Sequence, residues 1–198
     1  MGKNILIRAD ASLAIGTGHV MRCLTLANAA KRKGWNICFL VRDPSENITN
    51  LIRDAGHQVW KLLSSPLNKK HSFNFLDHGD WLTVSQVDDA QETLDAIRGF
   101  KPDWVVVDHY ALDATWYEHI KGNCAKILVI DDLGDRKFIC DMLLDQNLDA
   151  NAMKYDGKLS INCRLLLGID FSLLKSEFQG VCIDSCSWRI IPTHKYSL

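Results

Sequence analysis

No stretch of this chain approaches the roughly 18 consecutive apolar residues that a membrane-spanning helix needs, so no membrane partner is expected. Charge of one sign is missing as well. The 23 basic and 24 acidic residues leave a formal net charge of −1, which gives no field to draw the chain to nucleic acid or anionic lipid. Cysteine is present, at Cys23, Cys38, Cys124, Cys140, Cys163, Cys182 and Cys186, but without the C-x-x-C or C-x-x-H spacing of a zinc site. An odd, scattered set reads as reduced, mostly buried thiols. The opening MGKNILIRAD turns polar at Arg8 and Asp10, too early for the apolar region of a signal peptide, and the expected compartment is the cytoplasm. No internal repeat or low-complexity segment stands out.

What is present is an ordinary globular composition, 47% hydrophobic and 24% charged over 198 residues, enough for one core and one domain. Short apolar runs alternate with segments of helical period, the pattern of an α/β fold with a Rossmann-like parallel sheet flanked by helices. The expected strands are 4–10, 36–43, 57–63, 103–110, 125–136 and 141–147, with one more strand and a turn over 163–174. Helices are expected over 19–34, 45–56 and 85–100, the second with Ser45 as its N-cap and Gly56 as its stop. A polar loop over 64–70 lies between the third strand and the helix over 85–100, and from about Gln179 neither period persists.

AIGTGHVMRC, residues 14–23, falls at the junction of the first strand and first helix. It is not G-x-G-x-x-G, because position 21 is Met, and no G-K-[ST] follows, which disfavours dinucleotide dehydrogenases and P-loop NTPases. Gly16 and Gly18 either shape a tight turn or let backbone N–H groups approach a phosphate at the helix N-terminus. His19 either begins the helix or serves as a proton acceptor near neutral pH. Arg22, one turn on, is a surface residue or a phosphate partner. The triplet Asp108-His109-Tyr110 at a strand end has the same two readings, and Asp131 with Asp132 reads as a loop cap rather than a metal site. His57, His71, His78, His119 and His194 show no ligand spacing.

Taken in order, RADASLAIGTGHVMRCLTLANAAKRKG, VVDHYALDATWYE, ILVIDDLGDR, DMLLDQNLDA…YDG and LLLGIDFSLLKSEF resemble the UDP-2,4-diacetamido-2,4,6-trideoxy-β-L-altropyranose hydrolases (the PseG family) of pseudaminic acid biosynthesis over residues 3–178. The resemblance implies the N-terminal half of a MurG-like GT-B fold and a bacterial enzyme that hydrolyses a UDP-linked sugar at its anomeric carbon, with no metal ion or other cofactor. The sugar belongs to flagellin and surface-polysaccharide glycosylation. It places the catalytic base at His19, with Gly16, Gly18, Arg22 and Tyr110 around the substrate. Asp10, at the end of the first strand, is a candidate to orient His19.

Family members continue into a second, nucleotide-gripping domain, so the expected division is a Rossmann-like N-terminal domain over 1–178 and an irregular tail over 179–198, such as a shifted frame or truncation would give. One wall of a cleft positions a substrate poorly, and impaired activity is the expectation unless a separately encoded second domain or self-association completes it. A GT-B glycosyltransferase domain and a noncatalytic interaction domain are the alternative readings.

Overall fold

Strands such as NILIRA and NICFLVR carry apolar residues on both faces and therefore need cover on both sides. The computed structural model, which describes residues 2–64 and 76–174, supplies that cover with helices. Its order is β1 (Asn4–Ala9), α1 (Gly18–Arg32), β2 (Asn36–Arg42), α2 (Glu46–Asp54), β3 (Gln58–Leu62), α3 (Gln86–Ile97), β4 (Trp104–Asp108), α4 (Ala114–Ile120), β5 (Lys126–Ile130), β6 (Met142–Asp145) and β7 (Arg164–Leu167). Single 3₁₀ turns stand at Gly79–Trp81, Ala152–Tyr155 and Ile169–Phe171. The seven strands form one parallel sheet in the order β3-β2-β1-β4-β5-β6-β7. This is the expected α/β Rossmann-like architecture.

The period of two divides the core. Ile5, Ile7 and Ala9 of β1, with Phe39, Val41 and Val106, pack under α1 and α2. Leu6, Leu40, Val105, Val107 and Val129 face the other way, toward Ala90 and Ile97 of α3 and Trp116, Tyr117 and Ile120 of α4. Helix ends are fixed locally: the hydroxyls of Ser45 and Ser85 accept from the backbone N–H groups of Ile48 and Asp88, and Gly56 takes a positive φ of 76° after α2.

Helix α4 is absent from the sequence-based expectation, because seven residues complete too few turns to display a period. The expected strand 125–136 ends at Ile130, where Asp131 Oδ2 accepts from the N–H groups of Leu133 and Gly134 and turns the chain, the loop-capping role read for it. Most of the polar loop at 64–70, His71, His194, Cys182, Cys186 and the tail 179–198 lie outside the described residues.

The strand order reverses between β1 and β4: from β1 the chain moves outward to β3, then returns to β4 on the other side of β1. In an open parallel sheet such a switch point leaves a crevice at the carboxyl ends of the strands, where loops diverge to opposite faces.

Candidate active site

Of the two strands flanking that crevice, β4 ends in Asp108, and Asp10 follows the last residue of β1. Past β1 the chain makes a turn in which Gly16 N–H donates to Ser12 O at 2.8 Å, with Gly16 at φ 76°, a left-handed conformation that disfavours other residues. α1 then starts at Gly18 with no side-chain cap and no acidic residue in its first turn, so the positive end of its dipole faces the crevice uncompensated. A Cβ on Gly18 would meet nothing within 4 Å, so its small size leaves open space there rather than relieving a contact.

His19, the second residue of α1, is buried to 7% exposure and points at β4. Its Nδ1 lies 2.6 Å from Asp108 Oδ1. An ionised carboxylate only accepts, so Nδ1 carries a proton toward it, although Arg22 Nη2 also lies 3.3 Å from that nitrogen; in the neutral ring this leaves the lone pair on Nε2, which has no hydrogen-bond partner among the described residues. Arg22, one turn along, donates Nε and Nη2 to the two oxygens of the same carboxylate. Burial pushes the Asp108 carboxyl up, but hydrogen bonds from Arg22 and His19 outweigh it and hold the group below the usual carboxylate range. Asp108 therefore stays ionised between two donors.

Tyr110 closes the third side. Its ring meets that of His19 edge-on, 4.7 Å between centroids, and stacks on Trp81 at 5.5 Å. Its hydroxyl donates to Asp132 in the loop after β5, whose other oxygen is 3.7 Å from Arg22 Nη1. Burial, and then that hydrogen bond, push the phenol well above its ordinary value, so it remains a donor. His78 packs against both Trp81 and Tyr110, at 4.6 and 5.4 Å.

Asp10 is not part of this group. Its carboxylate takes the Arg8 guanidinium, the Arg42 backbone N–H at 2.7 Å and His109 Nε2 at 3.0 Å, and does not orient His19. The reason is strand parity: Asp10 shares a face with Leu6 and Arg8, on the α3 side of the sheet, whereas α1 lies on the other. There Arg8, fully buried, bridges Asp10 and Asp89; Asp89 also binds Arg42 and the indole N–H of Trp116. His109 Nδ1 accepts from Ala111 N–H, which fixes its proton on Nε2, facing Asp10. His109 is thus structural, while its neighbours Asp108 and Tyr110 face His19.

Of the sequence-derived candidates, the structure brings His19, Arg22 and Tyr110 together beside Gly18. Arg22 is committed to Asp108 rather than free for a phosphate. Sequence reasoning weighed Asp108 only within the Asp108-His109-Tyr110 triplet, without a role of its own, and did not single out Asp132, Trp81 or His78 as site residues. Asp108 had a usable signal, since it alternates with Val106 and Tyr110 on the face of β4 that meets α1; Trp81 follows an irregular stretch with no period. Among the described residues no cluster of His, Cys, Asp and Glu has the grouping of a metal site, and no helix is long and apolar enough to cross a membrane.

The chain is 27% identical over 175 residues to a UDP-2,4-diacetamido-2,4,6-trideoxy-beta-L-altropyranose hydrolase of Campylobacter jejuni, an alignment covering 88% of this chain and 53% of that enzyme. The resemblance read from the motifs is borne out. An uncharacterized protein of Methanocaldococcus jannaschii is 24% identical over 128 residues, 65% of this chain and 21% of its own. Among solved structures, MurG of Acinetobacter baumannii superimposes with a TM-score of 0.53 at 9% identity, over 82% of this chain and 45% of MurG. That likeness concerns the fold alone. No family model matches the chain. This chain spans about half the length of the Campylobacter hydrolase and about a fifth of the archaeal protein.

Proposed function

We propose that this chain is the base-bearing lobe of a UDP-sugar hydrolase that releases UDP and the free 2,4-diacetamido-2,4,6-trideoxy sugar. The observation that carries the reading is the His19–Asp108 pair, with Nδ1 held at 2.6 Å by an ionised carboxylate, which in the neutral ring leaves Nε2 as the accepting nitrogen. A water at Nε2 gives its proton to the ring as its oxygen attacks the anomeric carbon; the C–O bond to the diphosphate breaks, and UDP departs with the bonding pair. Asp108 stabilises the imidazolium formed in that step and keeps the tautomer that can accept the proton. UDP is a good leaving group, so no strong acid is required opposite His19. The uncompensated N-terminus of α1, approached across Gly16 and Gly18, suits the diphosphate, and the Trp81–Tyr110 stack suits the apolar face of a sugar ring.

In this reading residues 1–178 form one lobe, and the nucleotide is gripped by a second lobe that closes over the carboxyl edge of the sheet. Leu13, Leu148 and Met153 stand exposed on loops past β1 and β6, the edge such a lobe would cover. The test is UDP release from the UDP-diacetamido-altrose, followed by NMR, for the chain alone and for a fusion to the second domain of the Campylobacter relative. Release by the fusion, reduced roughly 10²–10⁴-fold by His19→Ala, is the expected result. Equal release by the His19 variant would overturn the assignment. Transfer of the sugar to an acceptor, without free sugar, would favour the glycosyltransferase alternative.

A further inference from the structure

Far from His19, at the amino ends of the strands, the fold brings together two cysteines that no sequence spacing connects. Cys140 precedes β6 and Cys163 precedes β7; 23 positions apart in the chain, their sulfurs are 3.5 Å from one another. The adjacency follows from the parallel register that pairs Met142 with Arg164 and from the Arg164 N–H donated to Asp141 O at 2.9 Å. A disulfide needs about 2.05 Å between sulfurs, so the two must approach one another by about 1.5 Å to bond.

The two thiols are not equivalent. Cys140 is buried and Cys163 partly exposed; a surface cavity of about 540 Å³ lies on the Cys140 side of the pair, lined by Cys124, Cys140, Asp141 and Asn162 and not by Cys163. Either sulfur can donate in the contact between them; a hydrogen bond given by Cys140 lowers the Cys163 thiol below its ordinary range, and that bond and burial raise Cys140. The accessible member is the more acidic, as a thiol that attacks first must be.

We propose that Cys140 and Cys163 form a reversible dithiol–disulfide site whose oxidants are low-molecular-weight disulfides of the glutathione class. The Cys163 thiolate attacks one sulfur of the oxidant, forming a mixed disulfide and expelling one thiolate. Cys140, losing its proton to solvent, then attacks the Cys163 sulfur and displaces the second. The sum is two protein thiols and one small disulfide giving one protein disulfide and two small thiols. The bond closes a loop that carries Lys154 and Tyr155. These donate to the carbonyls of Asp132 and Asp131 and to the carboxylate of Asp145, so the link braces the loop that presents Asp132 to Tyr110.

The test treats the full chain with excess oxidised glutathione, quenches with an alkylating agent and maps peptides by mass spectrometry. The expected product is a Cys140–Cys163 linked pair lighter by two hydrogens, reversed by dithiothreitol, with a melting temperature higher by roughly 5–10 °C. Cys140→Ser should stop at a glutathione adduct on Cys163, and Cys163→Ser should give neither product. In the reduced chain Cys163 should alkylate at least tenfold faster than Cys38, whose thiol burial pushes up to about 12. A Cys124–Cys140 link, a persistent adduct on the unmutated chain, or full recovery of both free thiols would each overturn the proposal.

Discussion

Asp108 serves His19 and Arg22 with the same two oxygens, and so joins the proposed base to the residue one turn behind it on α1. Asp108→Asn separates the two roles. An amide has one accepting oxygen, so the tautomer of His19 is no longer fixed; kcat should fall by about 10²-fold or more while KM changes by less than about threefold. Arg22 also loses its counter-charge, so the variant should melt at a lower temperature, and both effects are read from one purified sample.

Gly18→Ala probes the approach to α1 without disturbing the fold. Gly18 does not have a positive φ and a Cβ there meets no atom, so stability should stay within roughly 1 kcal/mol of the parent by denaturant titration. If substrate phosphates come close to this backbone, KM rises at least tenfold. An unchanged KM would mean that Gly18 only shapes the turn.

Trp81→Ala removes the face on which Tyr110 stacks at 5.5 Å and an edge-on ring contact with His19 at 5.8 Å, but no hydrogen bond to His19 or Asp108. Loss of a sugar platform predicts KM higher by about tenfold with kcat reduced much less. A collapse of kcat at unchanged KM would instead place Trp81 in the support of His19.

Stability should decline with acid in a defined order. Asp10, Asp89 and Asp108 are each held below their ordinary carboxyl range of about 3.8 in the folded chain, with arginine partners outweighing burial. Their contribution is present above the unfolded value and is lost as pH falls through the folded values. Asp131 runs the other way, because burial raises it, and recovers part of that loss. His57, depressed below 6.5 by burial, adds an earlier and shallower decline as pH drops past that value. Melting temperature should therefore fall gently from about pH 6.5 and steeply below about pH 4. A melting temperature flat to pH 3 would contradict the network.

Arg8→Met should be costly, since it strips Asp10 and Asp89 of the guanidinium they share in a fully buried site. Leaving such carboxylates unpaired costs about 3–5 kcal/mol. Urea denaturation should show it, and a loss below about 1 kcal/mol would mean that water or Arg42 replaces the missing charge.

The strands and the long helices could be read from the chain because a two-sided core leaves apolar runs with clear stops, and Ser45 and Gly56 mark their ends by chemistry that acts within a few residues. The site was legible only in part. His19 announces itself beside two glycines, but its bond to Asp108 depends on β1 lying next to β4, a matter of strand order that no local period encodes. The choice of Asp10 as its orienting partner overlooked alternation: Asp10 continues the face of Leu6 and Arg8, away from α1. The 3₁₀ turn bearing Trp81 lies beyond a stretch without pattern.

At the end of β4, three successive side chains serve two different neighbourhoods, with Asp108 and Tyr110 turned to His19 and His109 turned to Asp10. Inheritance is constrained accordingly. Gaining or losing one codon upstream within this strand would send His109 toward the crevice and drive Asp108 against Asp89, disabling chemistry and architecture at a stroke.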